Sequence, residues 1–433
     1  MTIPDARGIA VDPRSEQRLR EAGFSYRVVD FADDEAATSY LRAITRGFLD
    51  PEQEPEGIDQ ARAAMSPRRN VGVFEEGAAE GALPVATVNS WIAPMTVPGG
   101  EVPMWAISAV TVSGTHRRRG IARNLLEGEL RAAASAGVPI AGLTVSEATI
   151  YGRYGFAPAV PGAAVKVTDP RKAGWAAPAS AGRLEYVEKA ELALALAEVH
   201  DRARTHRAGQ IPGWAGRWER MAGLAVGDAQ AASVRGVRYL DESGVVRGAL
   251  AYTLAELPGS FGAEMAIRHL GAETDEALRA LWGFAVNHDL VSTITVDLRP
   301  VDEPLPWLVV DQRAVEVTVH DHGWLRILDV PAALTARRYR APLDVVLRVE
   351  DPLGLAAGTW RLRVDGSGAA TVESSDAAPD AVAAVSTLSA LYVGGVRATQ
   401  LRASALLEAS EEVAAALDDA FRGERAPHLG IWY

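Results

Sequence analysis

Residues 109–130 read AVTVSGTHRRRGIARNLLEGEL. An apolar, β-branched run gives way to three consecutive arginines and a glycine, then to a segment with helical periodicity. Ile121, Leu125, Leu126 and Leu130 share one broad apolar face, and Gly137 ends the pattern. The spacing predicts a strand through Val112, a basic turn, and a helix over Ile121 to Ala134. The start of a helix leaves N–H groups without intrahelical partners, and the backbone dipole there favours anions. Positive charge at such a place has three readings: a solvated face, a nucleic-acid patch, or a cradle for a phosphorylated ligand.

The rest of the chain narrows these. It has 433 residues, more than one ordinary core holds, so two or three domains are expected. Lys plus Arg is 44 against 56 for Asp plus Glu, a net charge of -12. That balance disfavours a nucleic-acid binder, and no second basic cluster accompanies the first. The absence of cysteine excludes disulfides, thiolate metal ligands and a cysteine nucleophile. The eight histidines are scattered, so no metal site is expected. The start MTIPDARGIAVDPRSEQ has no signal-peptide core, and no stretch approaches the length of a membrane-spanning helix. A cytoplasmic protein without a membrane span is expected.

Around the basic turn, FSYRVVD (24–30), NVGVF (70–74), LPVATVNSWI (83–92), MWAISAVTV (104–112) and IAGLTV (140–145) suit strands, and residues 34–50 suit a helix with an acidic first turn. Residues 159–180, rich in Pro, Gly and Ala, read as a connection. The order then repeats. RLEYVEK (183–189) is a strand and residues 191–206 a helix; GVVRGALAYTL (244–254) and AEMAIRHL (263–270) suit a hairpin; a helix from Thr274 to about Asn287 and the strand TITVDL (293–298) follow. The second strand-to-helix junction carries Glu273, Asp275 and Glu276 where the first carries arginines, and it would repel phosphate. In the last part, residues 344–349, 359–364 and 369–374 alternate like an antiparallel sheet with DGSG as a hairpin turn. Alanine-rich helical segments follow, including 405–421, and the chain stops at the apolar HLGIWY.

Arg117-Arg118-Arg119-Gly120-Ile121-Ala122 fits the pattern R-x-x-G-x-A. Gly120 removes a Cβ where a pyrophosphate would near the backbone, and Ala122 keeps the next turn slim. With its preceding strand, this junction resembles motif A of the GCN5-related N-acetyltransferases. The segment TVSEATIYGRYGFAP (144–158) is similar to a second element of that family, a tyrosine followed by an aromatic-Gly-Phe step. Together with the degenerate second unit, the third part and the aromatic end, the whole chain resembles the Eis (enhanced intracellular survival) family of acetyltransferases.

That resemblance implies an α/β (α+β) fold of tandem acetyltransferase-like domains, the second degenerate, followed by a sterol-carrier-like α+β domain. The boundaries expected are 1–165, 166–312 and 313–433. It implies acetyl-CoA as co-substrate, with Val110, Thr111 and Val112 along its pantetheine arm. Arg118, Arg119, Gly120, Ile121, Ala122 and Arg123 would surround its pyrophosphate, and Ser146 and Glu147 would touch it. Tyr151 would be the general acid and the C-terminal carboxylate of Tyr433 the general base. The family often ends in phenylalanine, but a main-chain carboxylate makes tyrosine equivalent. The acceptor would be an amine on an aminoglycoside-like molecule, a polyamine or a lysine side chain, no metal would be needed, and the assembly would be a homo-hexamer.

Each of these residues also has a plainer reading. Tyr151 could be a core tyrosine and HLGIWY a docked strand end. Phe48, Trp91 and Trp105 are candidates for an acceptor pocket, although aromatics so placed are more often core. The competing function is a non-catalytic CoA- or lipid-binding protein; the intact R-x-x-G-x-A together with Tyr151 favours the enzyme.

Overall fold

Five mostly buried strands precede residue 150: β1 (Phe24–Val28), β2 (Arg69–Glu75), β3 (Ala86–Val97), β4 (Gly100–Val112) and β5 (Ile140–Thr144). The computed structural model describes residues 4–79, 81–259 and 261–433. They pack as two compact units, one of residues 1–160, 322–424 and 433, the other of 161–321 and 425–432.

In the first unit β1 to β4 are antiparallel neighbours, and β5 lies parallel to β4. A parallel pair needs a crossover, supplied here by the helix Ile121–Ser135. Its apolar face, Ile121, Leu125, Leu126 and Leu130, enters one core with Trp105, Ile107, Leu143 and Phe156. Glu129 is buried on the same helix and fully engaged. It accepts from Arg69 Nη1 (2.5 Å), Ser90 Oγ (2.6 Å) and Trp105 Nε1 (3.1 Å). Arg69 spends its other donors on the carbonyls of Ile9 and Ala10. A buried ion pair is tolerated when each guanidinium nitrogen and each carboxylate oxygen has a hydrogen-bond partner in this way. Trp105, a pocket candidate from the sequence, is therefore a core residue whose indole N–H is satisfied inside.

The second unit carries most of β6 (Ala157–Thr168), with β7 (Arg183–Val187), β8 (Arg235–Leu240), β9 (Val246–Glu256), β10 (Ala263–Ala272) and β11 (Val291–Arg299), in the order β6-β11-β10-β9-β8-β7. β6 corrects the reading of residues 159–180 as a connection. Val165 and Val167 alternate into the core while Lys166 and Thr168 face out, and the strand pairs with β11 from Ala163 to Thr168. Its alanines and prolines hid that period. β10, the helix Asp275–Val286 and β11 repeat the arrangement of β4, helix and β5: antiparallel to the strand before, parallel to the strand after.

β12 (Val315–Ile327) pairs through Gly323–Ile327 with β5 and completes the first unit's sheet as β1-β2-β3-β4-β5-β12. Beyond it lie β13 (Leu343–Glu350), β14 (Gly358–Val364), β15 (Ala370–Ser374), β16 (Ala381–Ala384) and β17 (Leu407–Ala409), in the order β15-β14-β13-β16-β17. Helix begins only at Glu411 within 405–421, because Ala405 takes φ +57°, Leu407–Ala409 pair with β16, and Ser410 caps the N–H of Val413. Two buried arginines tie this part together. Arg326 grips Asp351 with two bonds (2.8 and 2.7 Å) and donates to the carbonyl of Tyr154. Arg337 donates to the carbonyls of Tyr392 and Phe421, and its guanidinium lies 4.6 and 4.7 Å from the Tyr339 and Phe421 rings. Among the described residues no helix is long and apolar enough to cross a membrane.

Candidate active site

The parallel ladder between β4 and β5 ends early. Its last pair is Ala106 with Gly142, yet β4 continues to Val112 and β5 to Thr144. The cause lies on the other edge of β4, where the register to β3 passes from Asn89↔Ser108 to Thr87↔Thr111. β4 thus carries one extra residue, with Ala109 at φ +50°. Thr87 Oγ1 braces the bulge, donating to the Ala109 carbonyl (2.8 Å) and meeting Thr111 Oγ1 at 2.7 Å. A bulge bends and twists its strand. Val110, Thr111 and Val112 therefore run along an edge not paired to β5, where backbone groups can serve the amides of a bound ligand.

The basic loop follows. Arg118 at φ +64° and Gly120 at φ +76° turn the backbone so that successive N–H groups can converge, the geometry of an anion nest. Gly120 caps the helix without a side-chain acceptor, the first turn has no acidic residue, and the first helical bond runs from Asn124 N–H to the Gly120 carbonyl. The N–H groups of Ile121, Ala122 and Arg123 thus face the loop. Arg119 stacks on Phe24 at 4.5 Å, and Arg123 sits 4.0 Å from Glu127. Arg117 and Arg118 are exposed, without an acidic partner among the described residues. A Cβ at Gly120 would meet nothing nearer than Asn124 Nδ2 at 3.9 Å. Glycine is needed there for its φ, and the space beside it is open.

Tyr151 ends the short helix Ala148–Tyr151 and is buried, edge-on to Phe156. Burial, then the charge of Glu147 and the neighbouring Tyr154, push its phenol above the ordinary tyrosine range. Ser146 and Glu147 are exposed on the preceding turn, where Glu147 accepts from Thr149 Oγ1. At the tip of β5, beyond its last pair with β4, Thr144 Oγ1 donates to the terminal oxygen of Tyr433 (2.6 Å). The Tyr433 ring meets Trp91 edge-on at 5.4 Å, and the Arg68 guanidinium lies 3.9 Å over Trp91. Arg68 also donates to Asn89 Oδ1, and burial lowers its pKa to about 10. The end of the chain thus reaches the place where β4 and β5 part.

Residues 29–159 and 212–327 each match a model described as an acetyltransferase (GNAT) domain, and 330–430 match a sterol carrier protein domain. An uncharacterized N-acetyltransferase of Streptomyces griseus is 35% identical over 90% of this chain and 96% of its own length. N-acetyltransferase Eis of Mycobacterium tuberculosis is 31% identical over 87% of this chain and 91% of its own. The crystal structure of Eis1 from Mycobacterium abscessus superposes with a TM-score of 0.79 at 29% identity, covering 95% of this chain and all of that one. The chain belongs to the Eis family of N-acetyltransferases. It is an enzyme, and its acetyltransferase fold implies acetyl-CoA as co-substrate. The splayed β4 edge and the uncapped, acid-free helix start fit that molecule's amides and phosphates.

In this Eis-family enzyme the sequence singles out the loop, Tyr151 and Tyr433, and the structure adds Thr87, Ala109, Arg68 and Thr144. No local signal marks them, since each matters through a partner distant in sequence. Trp91 does flank the terminus. Phe48 is exposed, at the end of the helix Asp34–Gly47. That end abuts β4, because a Cβ on Gly47 would fall 2.5 Å from Thr111 Cβ. Beside it opens a cleft of about 640 Å³ lined by Arg42, Arg46, Leu49, Asp50, Glu52 and Ile58 among others.

Proposed function

We propose that this Eis-family enzyme acetylates an amine of a cationic acceptor, aminoglycoside-like, polyamine or lysine side chain, by direct transfer within residues 1–165. Residues 166–312 would form the degenerate domain and 313–433 the sterol-carrier-like one. The observation that carries the reading is the terminal oxygen of Tyr433, held by Thr144 at the mouth of the parted strands. Acetyl-CoA supplies the acetyl group as a thioester, and transfer to nitrogen releases CoA.

The chain's own residues divide the rest of the task. Arg118, Arg119 and Arg123, with the backbone of Gly120, Ile121 and Ala122, hold the pyrophosphate at the helix start. Val110, Thr111 and Val112 pair with the pantetheine amides, and a bulge N–H polarises the thioester oxygen. Ser146 and Glu147 close the turn beside the cofactor. Tyr151, kept protonated by burial, donates to the departing sulfur. The Tyr433 carboxylate anchors the acceptor cation and takes its proton. An ammonium of pKa about 10.4 does not surrender a proton outright to a carboxylate near 3.5, so transfer is late or relayed by water. The net charge of -12 favours a cationic acceptor. The hexamer carries over from the family resemblance.

Two measurements test this. Release of CoA thiol across a panel of aminoglycosides, polyamines and lysine peptides should single out polycations, and turnover with none of them would remove the acceptor class. One glycine added after Tyr433 keeps both terminal aromatic rings but moves the carboxylate by about 3.5 Å. Because about 1 Å of misplacement can cost about 10²-fold, kcat should fall at least about tenfold with acetyl-CoA affinity unchanged. Full activity would remove the tail from the chemistry.

A further inference from the structure

The second unit keeps the geometry of the cleft and fills it with its own chain. β10 carries a bulge at Arg268, its register to β9 passing from Ile267↔Tyr252 to His269↔Ala251. Its parallel ladder to β11 ends at Ala266↔Thr295, while β10 runs on to Ala272 and β11 to Arg299. This is the splay of β4 and β5 over again. Between the diverging strands only a small cavity of about 90 Å³ is left. Its walls include His269 from β10, Arg299 from β11 and Thr274 at the helix start, closed by Arg425, His428 and Gly430 of the C-terminal strap.

Residues 427–431 are buried without regular secondary structure. Buried irregular backbone needs partners for its polar groups, and unit-two side chains and backbone supply them. Ala426 N–H donates to Asp302 (3.1 Å), and its carbonyl accepts from Arg207 (3.0 Å). His428 N–H donates to the Ala208 carbonyl (2.9 Å). Gly430 N–H donates to Gln210 Oε1 (3.0 Å), and its carbonyl accepts from Arg217 Nη2 (3.1 Å). Arg425 pairs with Asp275 in the first turn of the helix whose counterpart carries the basic loop. Arg217 is buried with no acidic partner among the described residues, and burial lowers its pKa to about 10. The Gly430 carbonyl is what this guanidinium holds. A Cβ on Gly430 would meet His428 Nε2 of the same strap at 3.2 Å, and Gln210 Nε2 and His269 Cε1 at 3.8 Å.

We propose that the second unit's counterpart of the cofactor cleft has become the anchor of the C-terminal strap, with Gln210 and Arg217 as positioning residues for acetyl transfer. Gly430 precedes Tyr433 by three residues, a reach of at most about 11 Å, so fixing Gly430 restricts where the terminal carboxylate can lie. The inference rests on the reading of that carboxylate as the general base.

The test compares three full-length variants: Gln210→Leu, which keeps the volume but loses the acceptor; Gln210→Glu, which restores an acceptor oxygen; and the enzyme extended by one glycine. Amide exchange at Gly430, kcat and acetyl-CoA affinity are read on each. Gln210→Leu is expected to speed Gly430 exchange at least about tenfold and lower kcat at least about tenfold, with acetyl-CoA affinity unchanged. Gln210→Glu should recover most of both losses, a rescue that also holds the test open if the leucine variant folds poorly. Loosened exchange with kcat within twofold of the parent overturns the positioning role, and unchanged exchange overturns Gln210 as an anchor. If the glycine extension also keeps full activity, the catalytic reading of the tail has failed instead.

Discussion

The helix Ile121–Ser135 begins at a glycine at φ +76° with no capping side chain and no acid in its first turn. The helix Asp275–Val286, reached by the same strand order, begins at Thr274, whose hydroxyl accepts from Ala277 N–H, and continues with Asp275 and Glu276. The preceding Glu273 is held by Arg202 and Arg247, both at 2.8 Å. Glu273, Asp275 and Glu276 at the second helix start are each bonded from within the chain, whereas the first leaves Arg117 and Arg118 exposed. Sheet topology alone does not fix the electrostatics of a helix start; the side chains of its first turn decide whether the dipole is answered by the protein.

The largest break of this comparison concerns the acid. TIY follows β5, whereas PVDEPLPW, with no tyrosine, follows β11. Tyr151→Phe keeps the ring against Phe156 and removes the proton, so kcat should fall by about 10²–10⁴-fold with acetyl-CoA affinity nearly unchanged. A kcat within twofold of the parent would make Tyr151 a core residue like its neighbours.

The second break is acid. Burial lowers His200 in the second unit to about 4, and its Nε2–H donates to the Ile211 carbonyl. Burial also holds the nearby His269 well below its ordinary value, with Arg217 and His200 adding to the shift. Folded, these imidazoles are neutral; unfolded, they take a proton near 6.5. The stability they contribute is present above pH 6.5 and lost as pH falls towards 4, on the order of 3 kcal/mol for His200 alone. Hydrogen exchange should show amides of the second unit losing protection between pH 6.5 and 4 ahead of those around Glu129. Uniform loss across both units would contradict that difference.

A smaller effect sharpens the first junction. Gly120→Val places a branched residue at φ +76° and a side chain where a ligand would approach. Disturbing two charge-assisted hydrogen bonds corresponds to on the order of 10²-fold in affinity, readable by calorimetric titration of acetyl-CoA. Unchanged affinity would show that the loop does not hold phosphate. The smallest effect belongs to the second junction. Thr274→Ala should cost about 1 kcal/mol in thermal unfolding through the lost cap, without altering acetyl-CoA binding. A change in binding there would mean the second junction is not idle.

Much of this was legible before folding, for a physical reason. A strand, a basic turn with glycine and an amphipathic helix are local patterns, and so is the acidic replacement at the second junction. Residues 110–112, 118–123 and 151 were named through the family resemblance that these short motifs carry. β6 was not legible, because its alanines and prolines mask a two-residue period; nor was Trp105, whose partner Glu129 looks like any surface glutamate on a helix.

By itself, then, the sequence determined the elements around each strand-to-helix junction, the charge at each helix start, and the presence of an apolar end. Only the tertiary structure decided where β4 bulges and leaves β5, which requires Thr87 against Ala109 across a hairpin. It alone brought Thr144 to Tyr433 across 289 positions and Gln210 to Gly430 across 220. Contacts at such separations are chosen by the packing of the whole chain, since no local propensity or period encodes which distant hydroxyl or amide will meet a given carboxylate or carbonyl.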